Sequence, residues 1–386
     1  MPAPETLRLI RDLVAFDTTS RESNLALIDY VRNYLAGFGV ESLLAPNPEG
    51  TKANLYATLG PGDRPGIMLS GHTDVVPVDG QAWSSDPFKV IERDGRLYGR
   101  GTCDMKGFLA IALAFVPRFL ERGLAIPIHL AFSFDEEVGC LGVRHLIERM
   151  KDMPVKPSMC IVGEPTSMQV VTGHKGKRTY RGRVSGHEAH SSLAPEGVNA
   201  VEYAAMVIAH MKGIAKRLAK EGPFDDLFDV AFSTLHTGTI SGGTALNIVP
   251  RACEFMFEIR HLPRHDPEPV VAEIRAFAET LIPEMKAVSP AATIEIVETN
   301  AAPGLDMDPG ADVVAFVKAL AGRNDHAKVA FATEAGLFHD RVGIPTVICG
   351  PGAIAQAHKP DEFIALEQVE KGEAFMGRLL EKVAAS

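Results

Sequence analysis

No stretch of this sequence stays apolar for the roughly 20 residues that a membrane span requires, which excludes a transmembrane helix. Positive charge is scarce and scattered. Lys and Arg number 39 against 49 Asp and Glu, a formal net charge of −10, and no basic stripe is present to neutralise phosphates. Nucleic acid is therefore not an expected partner. Cysteines are few as well: Cys103, Cys140, Cys160, Cys253 and Cys349 are far apart and form no C-x-x-C pair, which points to reduced thiols in a cytoplasmic protein. The first residues, Met1-Pro2-Ala3-Pro4-Glu5-Thr6, lack the basic and apolar regions of a signal peptide, which supports the same expectation. What is present has the balance of a globular protein, with 46% hydrophobic and 23% charged residues. A chain of 386 residues exceeds one ordinary core and suggests two domains, or one α/β domain carrying an insertion.

The run Ile67-Met68-Leu69-Ser70-Gly71-His72-Thr73-Asp74 reads as a buried strand that presents an imidazole and a carboxylate on one face at its C-terminal end. Such a pair suits a metal ligand and the group that orients it. Two more apolar strands end the same way: 127–134 runs into Asp135-Glu136-Glu137, and 158–162 into Gly163-Glu164. Three carboxylates ending a buried strand are costly unless a cation compensates them. Between these strands, glycines flank Asp104 in Gly99-Arg100-Gly101-Thr102-Cys103-Asp104-Met105-Lys106-Gly107, directly before a helix expected over 108–120. Near the C-terminus, a strand over 346–349 leads through Gly350-Pro351-Gly352 to His358. Helices are expected over 5–16, 23–38, 311–321, 335–340 and 366–384, so strands and helices alternate as in an open α/β sheet with its site outside the strand ends. From 175 to about 290 the texture changes to β-α-β-β-α-β, the order of an inserted ferredoxin-like α+β domain.

His72, Asp104, Glu137, Glu164 and His358 form an all N/O ligand set suited to zinc, cobalt or manganese. Five ligands are too many for one catalytic zinc with an open position. They suit two ions about 3.5–4 Å apart, with Asp104 bridging and one histidine on each side. Glu136 is then free to act as general base.

The runs Gly71-His72-Thr73-Asp74-Val75-Val76-Pro77, Gly99 to Gly107, Asp135-Glu136-Glu137, Gly163-Glu164-Pro165-Thr166 and His358-Lys359-Pro360-Asp361-Glu362 resemble the M20 family of metallopeptidases and amidohydrolases, in family order over nearly the whole chain. The resemblance implies a zinc-exopeptidase-like catalytic domain, 1–174 and 291–386, and a lid and dimerisation domain, 175–290. It implies two Zn2+ per subunit (Co2+ or Mn2+ being alternatives), Asp74 orienting His72, and a homodimer. It also implies that His190, in Gly186-His187-Glu188-Ala189-His190, reaches the partner's site to stabilise an oxyanion, and that Asn247 and Arg260 bind substrate, Arg260 through an α-carboxylate. The expected reaction removes an acyl group from the α-amine of an amino acid, with N-acetylornithine the leading substrate. N-succinyl-diaminopimelate, N-acetylcitrulline and other acyl-amino acids or peptides are alternatives, as is a metal-binding dimeric protein without catalysis. Glu334 is expected to meet the ammonium of an ornithine side chain. His129, His145, His210, His236 and His339 belong to no motif and are expected to be structural or exposed.

Overall fold

The computed structural model describes residues 1–385, which divide into two compact units. The first comprises Met1–Gly173, Leu305–Lys328 and the C-terminal segment from Thr333. At the centre of its mixed sheet lie parallel strands in the order Ile128–Ser133, Ile67–His72, Met159–Val162 and Thr346–Ile348. Antiparallel Ala53–Leu59 and Ser42–Pro46 extend the sheet beyond Ile128–Ser133. Every residue of Ile67–His72 and of Ile128–Ser133 is buried, as expected of parallel strands covered on both faces. Because these strands are parallel, their C-terminal ends share one edge of the sheet, and each leads into a segment carrying a candidate site residue.

The helix that follows Asp104 spans Lys106–Ala114, is apolar on all sides after Lys106, and is buried from Lys106 to Leu113. The expected single helix over 108–120 is in fact two, because Pro117 in the first turn of Val116–Arg122 has no N–H to continue the ladder. Several elements of this unit were not expected, among them the strands Ser42–Pro46 and Val171–His174. A helix spans Val143–Lys151, and a small sheet pairs Phe363–Ala365 with Arg96–Tyr98, which in turn pairs with Ile91–Arg93. That small sheet brings Glu362 beside the loop of Asp104.

The second unit comprises His174–Gly304 and Val329–Ala332. Its antiparallel sheet runs in the order Thr234–Gly242, Ala252–His261, Gly176–Ser185, Thr293–Ala302. With helices Ala200–Glu221 and Glu268–Val288 it has the β-α-β-β-α-β order of a ferredoxin-like domain. Ala252–His261 alternates inward and outward, and its Cys253, Phe255, Phe257 and Ile259 meet Val207, Met211 and Ile274 from the helices. The expected boundary at 290 needs correction. It falls before Thr293–Ala302, which pairs with Gly176–Ser185 along its length and belongs to the same sheet.

Candidate metal centre

His72 ends its strand 1% exposed, and its Nδ1 donates to the main-chain carbonyl of Asp74 at 2.9 Å. A carbonyl can only accept, so Nδ1 carries the proton and Nε2 is left as the ligand atom. His72 Nε2 lies 3.2 Å from Asp104 Oδ1 and 3.9 Å from Glu164 Oε1. On the other side of the same carboxylate, His358 Nε2 lies 3.3 Å from Asp104 Oδ2 and 3.1 Å from Glu137. Atoms bound about 2.0–2.1 Å from one zinc ion at tetrahedral angles are about 3.4 Å apart; the separations of 3.1, 3.2 and 3.3 Å are close to such an edge, and the 3.9 Å to Glu164 is wider. The ligand atoms of His72, Asp104 and Glu137, and those of His72, Glu136 and Glu164, form two groups each within 4.8 Å.

The electrostatics fit a cationic occupant. Burial pushes the carboxyl groups of Glu136, Glu137 and Glu164 above the usual range, and their neighbouring carboxylates push further in the same direction. For Asp104 burial acts upward too, but hydrogen bonds from His358 and His72 outweigh it and hold the group below the usual range. His358 is raised to about 10 by Asp104 and Glu137. Divalent ions would replace the protons on these imidazoles and relieve the crowded carboxylates. Gly163, just before Glu164, has no room for a side chain, since a Cβ there would lie 2.2 Å from the Phe108 ring.

The role expected of Asp74 needs correction in part. Its Oδ1 is 3.6 Å from His72 Nδ1, beyond a hydrogen bond, and orientation of the ring falls to its main-chain carbonyl. The carboxylate instead accepts the main-chain N–H of Glu136 at 3.1 Å, that of Glu137 at 3.2 Å and the Ser20 hydroxyl at 2.8 Å. Asp74 thus fixes the segment that carries the candidate base and a candidate ligand. Lys52 braces the same segment, donating to Asp135 at 2.6 Å and to the Ser20 carbonyl. Neither Ser20 nor Lys52 was marked by a sequence motif.

Glu334 is 1% exposed, so a substrate ammonium reaches it only if a path opens. Ser133 is close enough to ease its charge, yet neither Glu334 oxygen nor the Ser133 hydroxyl closes a hydrogen bond of normal geometry. Burial raises Glu334 to about 7. A carboxyl raised in the folded state destabilises that state as pH climbs from its ordinary value through the raised one. In metal-free protein, Glu334→Gln should therefore gain melting temperature over wild type between pH 5 and 8, by up to about 3 kcal/mol in stability. An equal offset at every pH would show that Glu334 does not titrate in this range.

In the second unit, His190 and Asn247 lie together: Ser191 N–H donates to the Asn247 carbonyl at 3.0 Å, and His190 pairs with Ile248. His190 is exposed and its Nδ1 lies 2.8 Å from Ser192 Oγ. Arg260 donates through Nε to Glu258 at 2.8 Å. Ala252 pairs with Ser185 at one end of the sheet and Arg260 with Lys177 at the other. Eight residues of strand separate those ends, about 27 Å.

The profile of the peptidase family M20/M25/M40 matches residues 68–382. This chain belongs to the M20 family. It is a hydrolase of that group of metallopeptidases and amidohydrolases. The acetylornithine deacetylase of Proteus mirabilis is 35% identical, over 98% of this chain and 96% of its own. That of Myxococcus xanthus is 34% identical, over 97% and 96%. An M20 metallo-carboxypeptidase from Sulfolobus solfataricus shares the fold with a TM-score of 0.79 at 20% identity, covering 98% of this chain and 99% of that one. A dinuclear metal-binding M20 peptidase from Bacillus subtilis has a TM-score of 0.65 at 15% identity, covering 97% and 96%. Among the described residues no helix is long and apolar enough to cross a membrane, and all five cysteines are free.

Proposed function

We propose that this M20 hydrolase is a dimetal amidohydrolase that releases the acyl group of an N-acyl-L-amino acid, with N-acetylornithine, cleaved to ornithine and acetate in arginine biosynthesis, as its substrate. The observation that carries the metal assignment is Asp104 placed between His72 Nε2 and His358 Nε2, one carboxylate oxygen toward each. His72, Glu164 and Asp104 would hold one ion, and His358, Glu137 and Asp104 the other. Two zinc ions bound there would polarise the scissile carbonyl and make a water more acidic. Glu136 takes the proton of the attacking water and passes it to the departing amine, a task suited to a carboxyl whose affinity for protons is raised. The substrate is supported by the relatives of 35% and 34% identity, both named acetylornithine deacetylase.

His190, Asn247 and Arg260 are assigned to the substrate: His190 to the oxyanion, Asn247 to orientation, Arg260 to the α-carboxylate. With His190 and Asn247 at one end of the second unit's sheet and Arg260 at the other, one copy of that unit offers two sets of groups too far apart for one small substrate. A homodimer resolves this, with His190 and Asn247 given to the partner's site. Mixing His190→Ala chains with Glu136→Ala chains should then restore activity that neither variant has alone, because one hybrid site is intact. Absence of restoration in proven heterodimers would remove the action in trans. Glu334 is assigned to the ornithine ammonium; an unchanged kcat/KM for N-acetylornithine in Glu334→Gln would end that assignment.

Amine release from a panel of acylated amino acids tests the reaction, with Glu136→Ala as control. Turnover led by N-acetylornithine and absent from the variant is expected. Preference for N-succinyl-diaminopimelate or N-acetylcitrulline would change the substrate and keep the chemistry.

A further inference from the structure

The two histidines of the metal centre are held very differently. His72 is the buried end of a central strand, whereas the His358 side chain is 51% exposed and its main chain is left-handed, φ 62°, in a loop after Gly350-Pro351-Gly352. Something must fix that loop if His358 is to meet Asp104 at ligand distance without a large ordering cost.

A continuous series of hydrogen bonds joins them. The Asp104 N–H, with those of Gly101 and Cys103, donates to Glu362 Oε1 at 3.0, 3.0 and 2.9 Å. Glu362 Oε2 accepts from Arg100 Nη1 at 2.7 Å, both side chains being almost wholly buried. Arg100 Nη2 donates to Gln81 Oε1 at 2.7 Å, and the guanidinium lies over the Trp83 ring, 5.0 Å from its centroid. Trp83 Nε1 also donates to Gln81 Oε1, at 3.0 Å, and Gln81 Nε2 donates to the main-chain carbonyl of His358 at 3.1 Å. Beside this series, Asp361 accepts from the N–H and hydroxyl of Ser84, both at 2.9 Å.

We propose that Gln81, Arg100 and Glu362 are positioning residues that lock the His358 loop to the Asp104 loop and so set the affinity of the His358 ion. The inference rests on the dimetal reading above. Gln81 is the link through which it can be tested, because its replacement removes no buried charge and no proposed ligand. Gln81→Leu cuts both ends of the link, and Gln81→Glu keeps the acceptor for Arg100 while losing the donor to His358.

The test is stepwise zinc binding to metal-free protein, followed by calorimetry alongside the melting temperature. Wild type should bind two ions. Both variants should bind one of the two ions about tenfold less tightly and the other as wild type does, with the metal-free melting temperature unchanged in Gln81→Glu, which keeps the acceptor for Arg100. Unchanged affinity for both ions in Gln81→Glu would overturn the proposal. So would equal weakening of both ions with a lowered melting temperature, the mark of a general structural role. A wild-type protein that binds one ion would instead overturn the dimetal reading, and the proposal with it.

Discussion

Glu136→Gln should lower kcat by about a thousandfold while two metal ions remain bound, since positioned general-base catalysis contributes typically 10²–10⁴-fold. The variant keeps the size of the side chain, and the main-chain N–H of residue 136 still donates to Asp74. What it loses is the capacity to take a proton. Metal content by atomic absorption, measured on the same sample as the rate, separates this role from the other that the geometry permits. Glu136 groups with His72 and Glu164 within 4.8 Å, so a fall from two ions to one would make it a ligand and move the base elsewhere.

Glu362→Ala should cost about 3–5 kcal/mol, or a fall of about 10 °C in melting temperature. The substitution leaves the Arg100 guanidinium buried without its counter-charge and strips the acceptor from the main-chain N–H groups of Gly101, Cys103 and Asp104. Desolvated charge makes the single loss severe. Removing both charges, in Arg100→Met combined with Glu362→Leu, should recover part of the stability because no ion is then left unpaired. A melting temperature within about 2 °C of wild type in Glu362→Ala would mean that water relieves Arg100, contrary to its burial.

The residues at the sheet edge were legible in the sequence for a simple reason. Buried parallel strands read as continuous apolar runs, and an acid or imidazole directly after such a run has few places to go but the C-terminal edge. This locates His72, Glu136, Glu137 and Glu164. Asp104 and His358 follow glycine-rich loops instead, and their pairing across 254 residues emerges only from the fold. The side chains that brace the site carry no such local signal. Ser20, Lys52 and Gln81 sit in loops among other polar residues, and their partners lie 54, 83 and 277 positions away. Glu362 stood inside a recognisable motif, yet its work depends on the pairing of Phe363–Ala365 with Arg96–Tyr98, two short strands with little period to read. By contrast, the helix Val143–Lys151 buries Val143, Leu146, Ile147 and Met150, a helical spacing that the sequence displays in full. The register of Ala252–His261 on Gly176–Ser185 is likewise a property of the folded sheet.

In the proposed centre Asp104 would bridge two metal ions, one on the His72 side and one on the His358 side. Anomalous scattering from crystals of the zinc-loaded protein tests it most directly. Two peaks about 3.5–4 Å apart are expected, one beside His72 and Glu164 and one beside His358 and Glu137, with one Asp104 oxygen on each. A single fully occupied peak, or two peaks with Asp104 bound to neither, would contradict it.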